Sequence, residues 1–164
     1  MEILIVRHAE ALDMDGTDIL TDAERPLSQR GLKQAKRLRK SLKKLKWSPD
    51  FVLTSPLVRA KHTAQLVFPK LVNPSKTYFE KDELKAGASP EMIVSALNDL
   101  AFEKIALFGH MPDLAILTSW LLGYQGCGLS LDKCGAALLQ LEGNPRFSSA
   151  YLRWLITPEW KARS

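Results

Sequence analysis

Short apolar runs alternate with helical segments through the first two-thirds of this 164-residue chain. Strands are predicted at 3–6, 51–54, 77–79 and 105–108, and helices at 28–46, 57–68, 89–100 and 112–122. This alternation is typical of βαβ units and a mainly parallel sheet. Two later strands, 135–141 and 151–156, are joined by a Gly-Asn-Pro turn and make the sheet mixed. We therefore predict an α/β three-layer sandwich with helices on both faces and a single domain over 1–164.

Three of these strands lead into residues that can bind or attack phosphate. The run 3–6 leads to Arg7 and His8, the run 51–53 to Arg59, and the run 105–108 to His110. Ligands of open α/β sheets bind outside the carboxyl ends of the strands, so these side chains should meet at one edge. A guanidinium presents a rigid fork of donors to paired oxygens, and a neutral imidazole can attack phosphorus. The pattern predicts a phosphoryl pocket in which either histidine could be the nucleophile.

Four motifs, in order along the chain, resemble signatures of the histidine phosphatase superfamily. Arg7-His8-Ala9-Glu10 resembles Arg-His-Gly, and Arg25-Pro26-Leu27-Ser28 resembles Arg-Pro-Leu-Thr. The segment 55–63 is similar to Ser-Pro-x-x-Arg-Ala-x-x-Thr, and Gly109-His110-Met111-Pro112 is similar to Gly-His-x-Pro. Together with the small size of the chain, they point to the SixA-type phosphohistidine phosphatases. The resemblance extends from residue 1 to about residue 122.

The resemblance implies a role for each basic residue of the predicted pocket. His8 would be the phospho-acceptor, and Arg7 and Arg59 would clamp the phosphate. His110 would be the second pocket histidine, and Arg25 would line the site.

Larger family members supply a glutamate after the third strand to protonate the leaving group. Glu83 is the nearest match here, with Asp82 and Glu80 as neighbouring alternatives. Ala9 stands where the family has glycine, and its methyl group would narrow the pocket without removing a catalytic group.

These observations predict a metal-independent phosphatase that works through a covalent phosphohistidine intermediate. The segments 63–78 and 79–89 leave no room for an inserted helical lid, so phosphate on a protein surface could reach the pocket. We expect the substrate to be phosphohistidine on a signalling protein, for example a histidine phosphotransfer domain. Hydrolysis of a small phosphate ester or anhydride is one alternative. A catalytically idle phospho-binding module is another.

The segment Asp13-Met14-Asp15-Gly16-Thr17 resembles the Asp-x-Asp-Gly-Thr motif of haloacid dehalogenase-like phosphatases, which use magnesium. That motif must follow directly on an apolar strand, whereas the strand here has already ended at Val6. No later pair of aspartates offers the second half of a metal site. We interpret the segment as a polar loop and expect neither a metal nor another cofactor.

Positive charge is concentrated in the first predicted helix. Between Pro26 and Pro49 there is no acidic residue. The basic residues of that stretch are Arg30, Lys33, Lys36, Arg37, Arg39, Lys40, Lys43, Lys44 and Lys46. Such a face can steer an acidic partner, although an ordinary solvated helix face would look the same. No aromatic side chain interleaves the charges to stack on bases, so nucleic acid is not the expected partner.

No apolar run approaches the roughly 20 residues that span a bilayer, and no secretory signal is visible. We therefore expect a cytoplasmic protein with no membrane association, and a monomer. Cys127 and Cys134 do not form a disulfide framework, and we interpret them as reduced thiols.

Overall fold

The computed structural model describes residues 1–15, 18–71, 77–97, 100–126 and 128–158. The strands are β1 (Glu2–Arg7), β2 (Phe51–Thr54), β3 (Tyr78–Glu80), β4 (Lys104–Gly109), β5 (Ala136–Leu141) and β6 (Ala150–Ile156). The α-helices are α1 (Gln29–Lys44), α2 (Val58–Val67), α3 (Pro90–Ser95) and α4 (Asp113–Leu121). Single 3-10 turns lie at Asp22–Glu24 and Asp82–Leu84.

The strands form one sheet in the order β3-β2-β4-β1-β5-β6. The first four strands in the chain run parallel to one another, and β5 and β6 are antiparallel to their neighbours. The mainly parallel mixed sheet is therefore confirmed. In the register of the central pair, Arg7 of β1 lies opposite Gly109 of β4. The residue that follows each strand, a histidine in both cases, consequently leaves the sheet at the same edge.

Helices cover both faces of the sheet, which confirms the three-layer sandwich. One core lies between the sheet and α1 with α2, and its helical members include Leu38, Leu42, Ala64 and Val67. The other lies beneath α3 and α4, and its helical members include Ile93, Leu114 and Leu117. Strand β1 contributes to both cores because successive side chains point to opposite faces: Leu4 joins the first and Ile5 the second.

No helical lid is inserted in the described parts of the two connections where larger relatives would carry one. Between α2 and β3 the structure describes residues 68–71 and 77, and none of them is helical. Between β3 and α3 the single 3-10 turn Asp82–Leu84 is the one helical element. In the residues that the structure describes, the connections on either side of β3 therefore carry no inserted α-helix.

Helix α3 is shorter than predicted, and the expectation of a helix reaching Leu100 is wrong. The helix ends at Ser95, where the backbone tightens: the Leu97 amide donates to the Val94 carbonyl (2.9 Å), three residues back. Leu97 and Leu100 still pack into the same core. The helical spacing of these leucines therefore reflects their burial in one core, and the helix does not continue through them.

The N-terminus of α1 is fastened to the turn that carries His8. The Ser28 hydroxyl accepts from the Gly31 amide (3.0 Å) and donates to the Glu10 carboxylate (2.7 Å), and the Ser28 amide donates to the Glu10 carbonyl (3.0 Å). A Cβ at Gly31 would overlap the same Glu10 carbonyl. Glycine is therefore required here for close approach of the backbones.

Gly31→Ala should destabilise the protein, although glycine-to-alanine changes inside exposed helices usually stabilise by up to about 1 kcal/mol. The methyl group must displace the Glu10 backbone, and we expect a loss of about 2 kcal/mol or more in the free energy of unfolding in urea. Gln29→Ala, an exposed position in the same first turn, is the matched control and should change stability by less than about 0.5 kcal/mol. A Gly31→Ala variant as stable as the parent would contradict this packing.

Candidate active site

The two strand-end histidines lie side by side at the carboxyl edge of the parallel strands. Their ring centroids are 5.1 Å apart, with an interplanar angle of 53°. The His8 amide donates to the Gly109 carbonyl (3.0 Å), which continues the ladder between β1 and β4 by one step. Both side chains are buried, with His8 7% and His110 4% exposed. The pocket thus brings together two imidazoles contributed by distant parts of the chain.

The backbone determines which nitrogen of His8 is available for attack. Nδ1 lies 2.7 Å from the Ala9 carbonyl oxygen. A carbonyl can only accept, so Nδ1 carries the proton and the lone pair of the neutral ring is on Nε2. Burial is the main reason that the pKa of His8 is lowered to about 3; His110, Arg59 and Lys133 act in the same direction, and the Ala9 hydrogen bond opposes them. At neutral pH the His8 ring is therefore neutral and held in one orientation, with the lone pair of Nε2 unprotonated.

His110 is held by a serine from the neighbouring strand end. Its Nε2 lies 2.8 Å from the Ser55 hydroxyl, and that hydroxyl also accepts from the Leu57 amide (3.3 Å). Burial is the main reason that the pKa of His110 is lowered to about 4, and the charges of Arg59 and Arg7 act in the same direction. An anion in the pocket would favour the protonated ring, which can donate to its oxygens.

Arg7 carries a donor that the protein leaves unsatisfied. One terminal nitrogen donates to the Leu131 carbonyl (2.8 Å), whereas the buried Nε has no hydrogen-bond partner among the described residues. Burial lowers the pKa of this guanidinium, partly offset by Asp132. An unpaired buried donor costs about 1–3 kcal/mol, so this arrangement of Arg7 is unfavourable for the protein without a ligand.

Arg59 is buried and shares a carboxylate with Arg25. Its two terminal nitrogens donate to the Asp22 carbonyl (2.6 Å) and carboxylate (2.9 Å). Arg25 donates to the other carboxylate oxygen of Asp22 (3.0 Å), and also to Asp13 and the Leu12 carbonyl. The hydrogen bond from Arg25 is the main reason that the pKa of Asp22 is lowered, with Arg59 adding to it. In the described contacts Arg25 therefore reaches the pocket through Asp22 and Arg59.

Thr63 orders the turn that follows His8. Its hydroxyl accepts from the Ala9 amide (3.0 Å) and donates to the Arg59 carbonyl (2.6 Å). Thr63 and Ala9 are both fully buried. The last residue of the motif at 55–63 is thus a positioning residue for the site.

The 3-10 turn that carries Glu83 lies against the end of β4. The Leu84 carbonyl oxygen is 3.2 Å from the point where a Cβ would stand on Gly109, the residue before His110. The Gly87 amide donates to the buried Asp113 carboxylate (2.7 Å), which holds the same connection to α4. Glu83 is therefore carried by a segment that borders the pocket.

Contacts within that segment distinguish the three candidate acids. Asp82 pairs with Lys85 (2.9 Å) and Glu80 with Lys61 (3.4 Å). The half-exposed Glu83 carboxylate makes neither an ion pair nor a hydrogen bond within the described ranges. Of the three, Glu83 has the carboxylate that is free to act on a ligand.

Sequence reasoning missed the segment that leads into β5. Its Cys134 amide donates to the His8 carbonyl (3.1 Å), and the Gly135 carbonyl accepts from the Arg7 amide (3.1 Å). This places Lys133, half-buried and with a pKa lowered first by burial and then by Arg7, within electrostatic range of His8. No local pattern marks this lysine, because it reaches the site through the antiparallel pairing of β5 with β1.

The competing motif does not form a carboxylate pair at the sheet edge. Asp13 is exposed and bonded to Arg25 (3.1 Å), and Gly16 and Thr17 lie outside the described residues. Within the described ranges no cluster of three or more His, Cys, Asp or Glu residues is arranged to hold a metal ion. Burial raises the pKa of the free thiol of Cys134 to about 12, and Cys127 falls outside the described part of the chain. The described helices include none that is long and apolar enough to cross a membrane.

Comparison with known proteins agrees with this geometry. Residues 3–98 match the histidine phosphatase superfamily (branch 1). An uncharacterized protein of Picosynechococcus sp. is 30% identical over 145 residues, which cover 82% of each chain. The fold is similar to that of the protein histidine phosphatase SixA complexed with tungstate, with a TM-score of 0.81, 23% identity and coverage of 96% and 97% of the two chains. The alpha-ribazole phosphatase of Shigella flexneri has a TM-score of 0.71 at 19% identity, with both chains fully covered.

The buried histidines should make stability fall on the acid side of neutrality. Below pH 6.5 the unfolded chain protonates these imidazoles, whereas the folded chain excludes the protons until about pH 3 for His8 and about pH 4 for His110. Their contribution is complete above pH 6.5 and is lost as the pH falls, by roughly 2 kcal/mol per imidazole at pH 5.

The free energy of unfolding in urea, measured from pH 7 to pH 4.5, gives the dependence of stability on pH. A His8→Gln/His110→Gln variant keeps polar side chains that do not titrate, so it should lose much less stability over the same range. An equal loss of stability with falling pH in the parent and the variant would show that the imidazoles do not cause it.

Proposed function

The chain belongs to the histidine phosphatase superfamily, and on that premise we propose that it removes phosphate from phosphohistidine on a signalling protein. One observation carries the proposal: the Nε2 lone pair of a buried, neutral His8 stands beside His110. Two arginines border the same histidines, and one of them has an unsatisfied donor. This set of groups suits a tetrahedral anion that accepts hydrogen bonds on several sides.

In the first step of the proposed reaction, Nε2 of His8 attacks the phosphorus in line as the bond from phosphorus to the substrate nitrogen breaks. The substrate ring, protonated by solvent on its other nitrogen, keeps that electron pair and departs as a neutral imidazole. His8 gains positive charge as it is phosphorylated, and its Nδ1–H bond to the Ala9 carbonyl (2.7 Å) becomes stronger. Arg7, Arg59 and His110 stabilise the charge on the transferred oxygens.

In the second step water attacks the phosphorus of phospho-His8. The bond from phosphorus to Nε2 breaks, inorganic phosphate leaves, and the lone pair returns to His8. Reformation of the neutral imidazole is favoured because the ring is buried, which lowers its pKa. The resting state is thereby regenerated.

The short connections around the pocket support a substrate carried on a protein surface. No helical lid covers the site in the described connections, so a phosphohistidine side chain can enter without being enclosed. Hydrolysis of a small phosphate ester is the second candidate. The unpaired Glu83 carboxylate favours it, because an alkoxide leaving group needs a proton whereas a protonated imidazole leaves readily.

Labelling of the nucleophile tests the proposed reaction. A peptide bearing [³²P]phosphohistidine should yield inorganic phosphate and, on rapid quenching in base, a transient acid-labile label on the protein. His8→Ala should abolish both. His62→Ala alters the third histidine of the chain, in α2, and should retain both. Label on His8→Ala, or a higher kcat/KM for small phosphate esters than for the peptide, would contradict the proposal.

Glu83→Gln separates the two substrate classes. If Glu83 protonates the leaving group, kcat for an alkyl phosphate ester should fall by about 10²-fold or more. The kcat for the phosphohistidine peptide should change by less than about threefold, since its leaving group needs little help. Asp82→Asn, the adjacent ion-paired acid, is the control and should affect neither substrate. Unchanged ester hydrolysis in Glu83→Gln would remove Glu83 as the acid.

A further inference from the structure

Helix α1 carries a solvent-facing concentration of positive charge that the proposed chemistry does not use. The nine basic residues between Pro26 and Pro49 exceed the net charge of +5, so the remainder of the chain is net negative. The apolar side of the helix is buried against the sheet, through residues such as Ala35, Leu38 and Leu42. The opposite side is exposed. We call it the basic face, and it consists of Lys33, Lys36, Arg37, Lys40 and Lys44.

The four lysines of the basic face, at 33, 36, 40 and 44, have no acidic partner within ion-pair distance in the part of the chain that the structure describes. Lys36 and Lys40, and again Lys40 and Lys44, are spaced four apart, where like charges destabilise a helix by about 0.2–0.5 kcal/mol per pair. The arrangement is unfavourable for the isolated molecule and becomes favourable when an acidic surface lies against it.

The helix that carries the basic face begins beside the turn that follows His8. Ser28 and Gly31, at the start of α1, contact Glu10, which is two residues from His8. Arg30, in the first turn of α1, pairs with the Glu10 carboxylate (3.5 Å), so the unpaired positive charge begins at Lys33, one turn further along the helix. The sixteen residues of α1 then run about 24 Å away from the site. A protein whose phosphorylated side chain enters the pocket must lie close to this helix.

We propose that the basic face docks an acidic surface of the phosphorylated protein whose phosphohistidine enters the pocket, an inference that rests on the proposed function. A phosphohistidine side chain is short, so its own protein surface must approach the rim to deliver it. Charge complementarity then favours a partner with carboxylates beside the phosphorylated residue.

The same face lacks what a nucleic-acid surface needs. No aromatic residue lies between Pro26 and Lys46, and Trp47, which follows, is buried with its indole N–H donating to Glu2 (2.8 Å). Single-stranded nucleic acid is bound by stacking on exposed aromatic rings in addition to charge. An acidic protein surface is therefore the better match.

Two synthetic peptides test the inference without knowledge of the natural partner. Each carries one phosphohistidine; one also carries four glutamates at helical spacing, and the other has glutamines in their place. At low ionic strength we expect kcat/KM for the acidic peptide to exceed that for the neutral peptide by about tenfold. The preference should shrink as salt is added, because exposed charges are screened.

Matched double variants locate the effect. Lys36→Glu/Lys40→Glu should abolish the preference for the acidic peptide and leave kcat/KM for the neutral peptide unchanged. Arg146→Glu/Arg153→Glu makes the same change in net charge, at the turn before β6 and on β6, and should keep the preference. Circular dichroism in the far-UV and near-UV checks that the variants are folded.

The outcomes separate docking from catalysis. Equal kcat/KM for the two peptides, or an equal loss of preference in both double variants, overturns the docking proposal and leaves the proposed function standing. Failure to hydrolyse either peptide overturns both. In another outcome, the Lys36→Glu/Lys40→Glu variant loses binding to a single-stranded oligonucleotide and keeps its preference for the acidic peptide. That result would assign the face to nucleic acid and overturn the docking proposal.

Discussion

The parallel pairing of β1 with β4 is the constraint on which the site depends. Its register sets Arg7 opposite Gly109, and the ladder continues through the His8 amide to the Gly109 carbonyl. A slip of one residue would send every side chain of one strand to the opposite face and separate the imidazoles. Because both faces of β1 are apolar over 3–6, hydrophobicity alone does not fix this register; the close packing of the two cores and the hydrogen bond from the Trp47 indole to Glu2 (2.8 Å) do. Core packing thus determines catalytic geometry.

The site combines groups that the fold holds at an energetic disadvantage. Two imidazoles are buried among cations, which suppresses their protonation. Arg7 retains an unpaired donor, and Arg59 and Arg25 converge on one carboxylate of Asp22. The buried imidazoles and the unpaired donor weaken the unliganded protein and become less unfavourable when an anion enters, whereas Asp22 already pairs with Arg59 and Arg25 and competes with an anion for them. The charge distribution of the pocket therefore favours binding of a tetrahedral anion.

Sequence reasoning reached the features that depend on local pattern. Strand and helix alternation predicted the sheet, and the residues after the strands predicted which side chains lie at its edge. It did not reach Lys133 or Asp22, because both arrive through tertiary pairing: one through β5 beside β1, the other through a 3-10 turn with no buried residue. The overestimate of α3 has another cause, since buried leucines at helical spacing satisfy the same pattern after the helix has ended.

The hydroxyl of Thr63 has a consequence for motion as well as for order. It joins the Ala9 amide, next to His8, to the Arg59 carbonyl through two hydrogen bonds, so a displacement of α2 would move both backbone segments. The turn that follows His8 and the first turn of α2 are therefore coupled through their backbones. Small movements of the sheet and helices would shift these two backbone segments together, and the distance between them would be preserved.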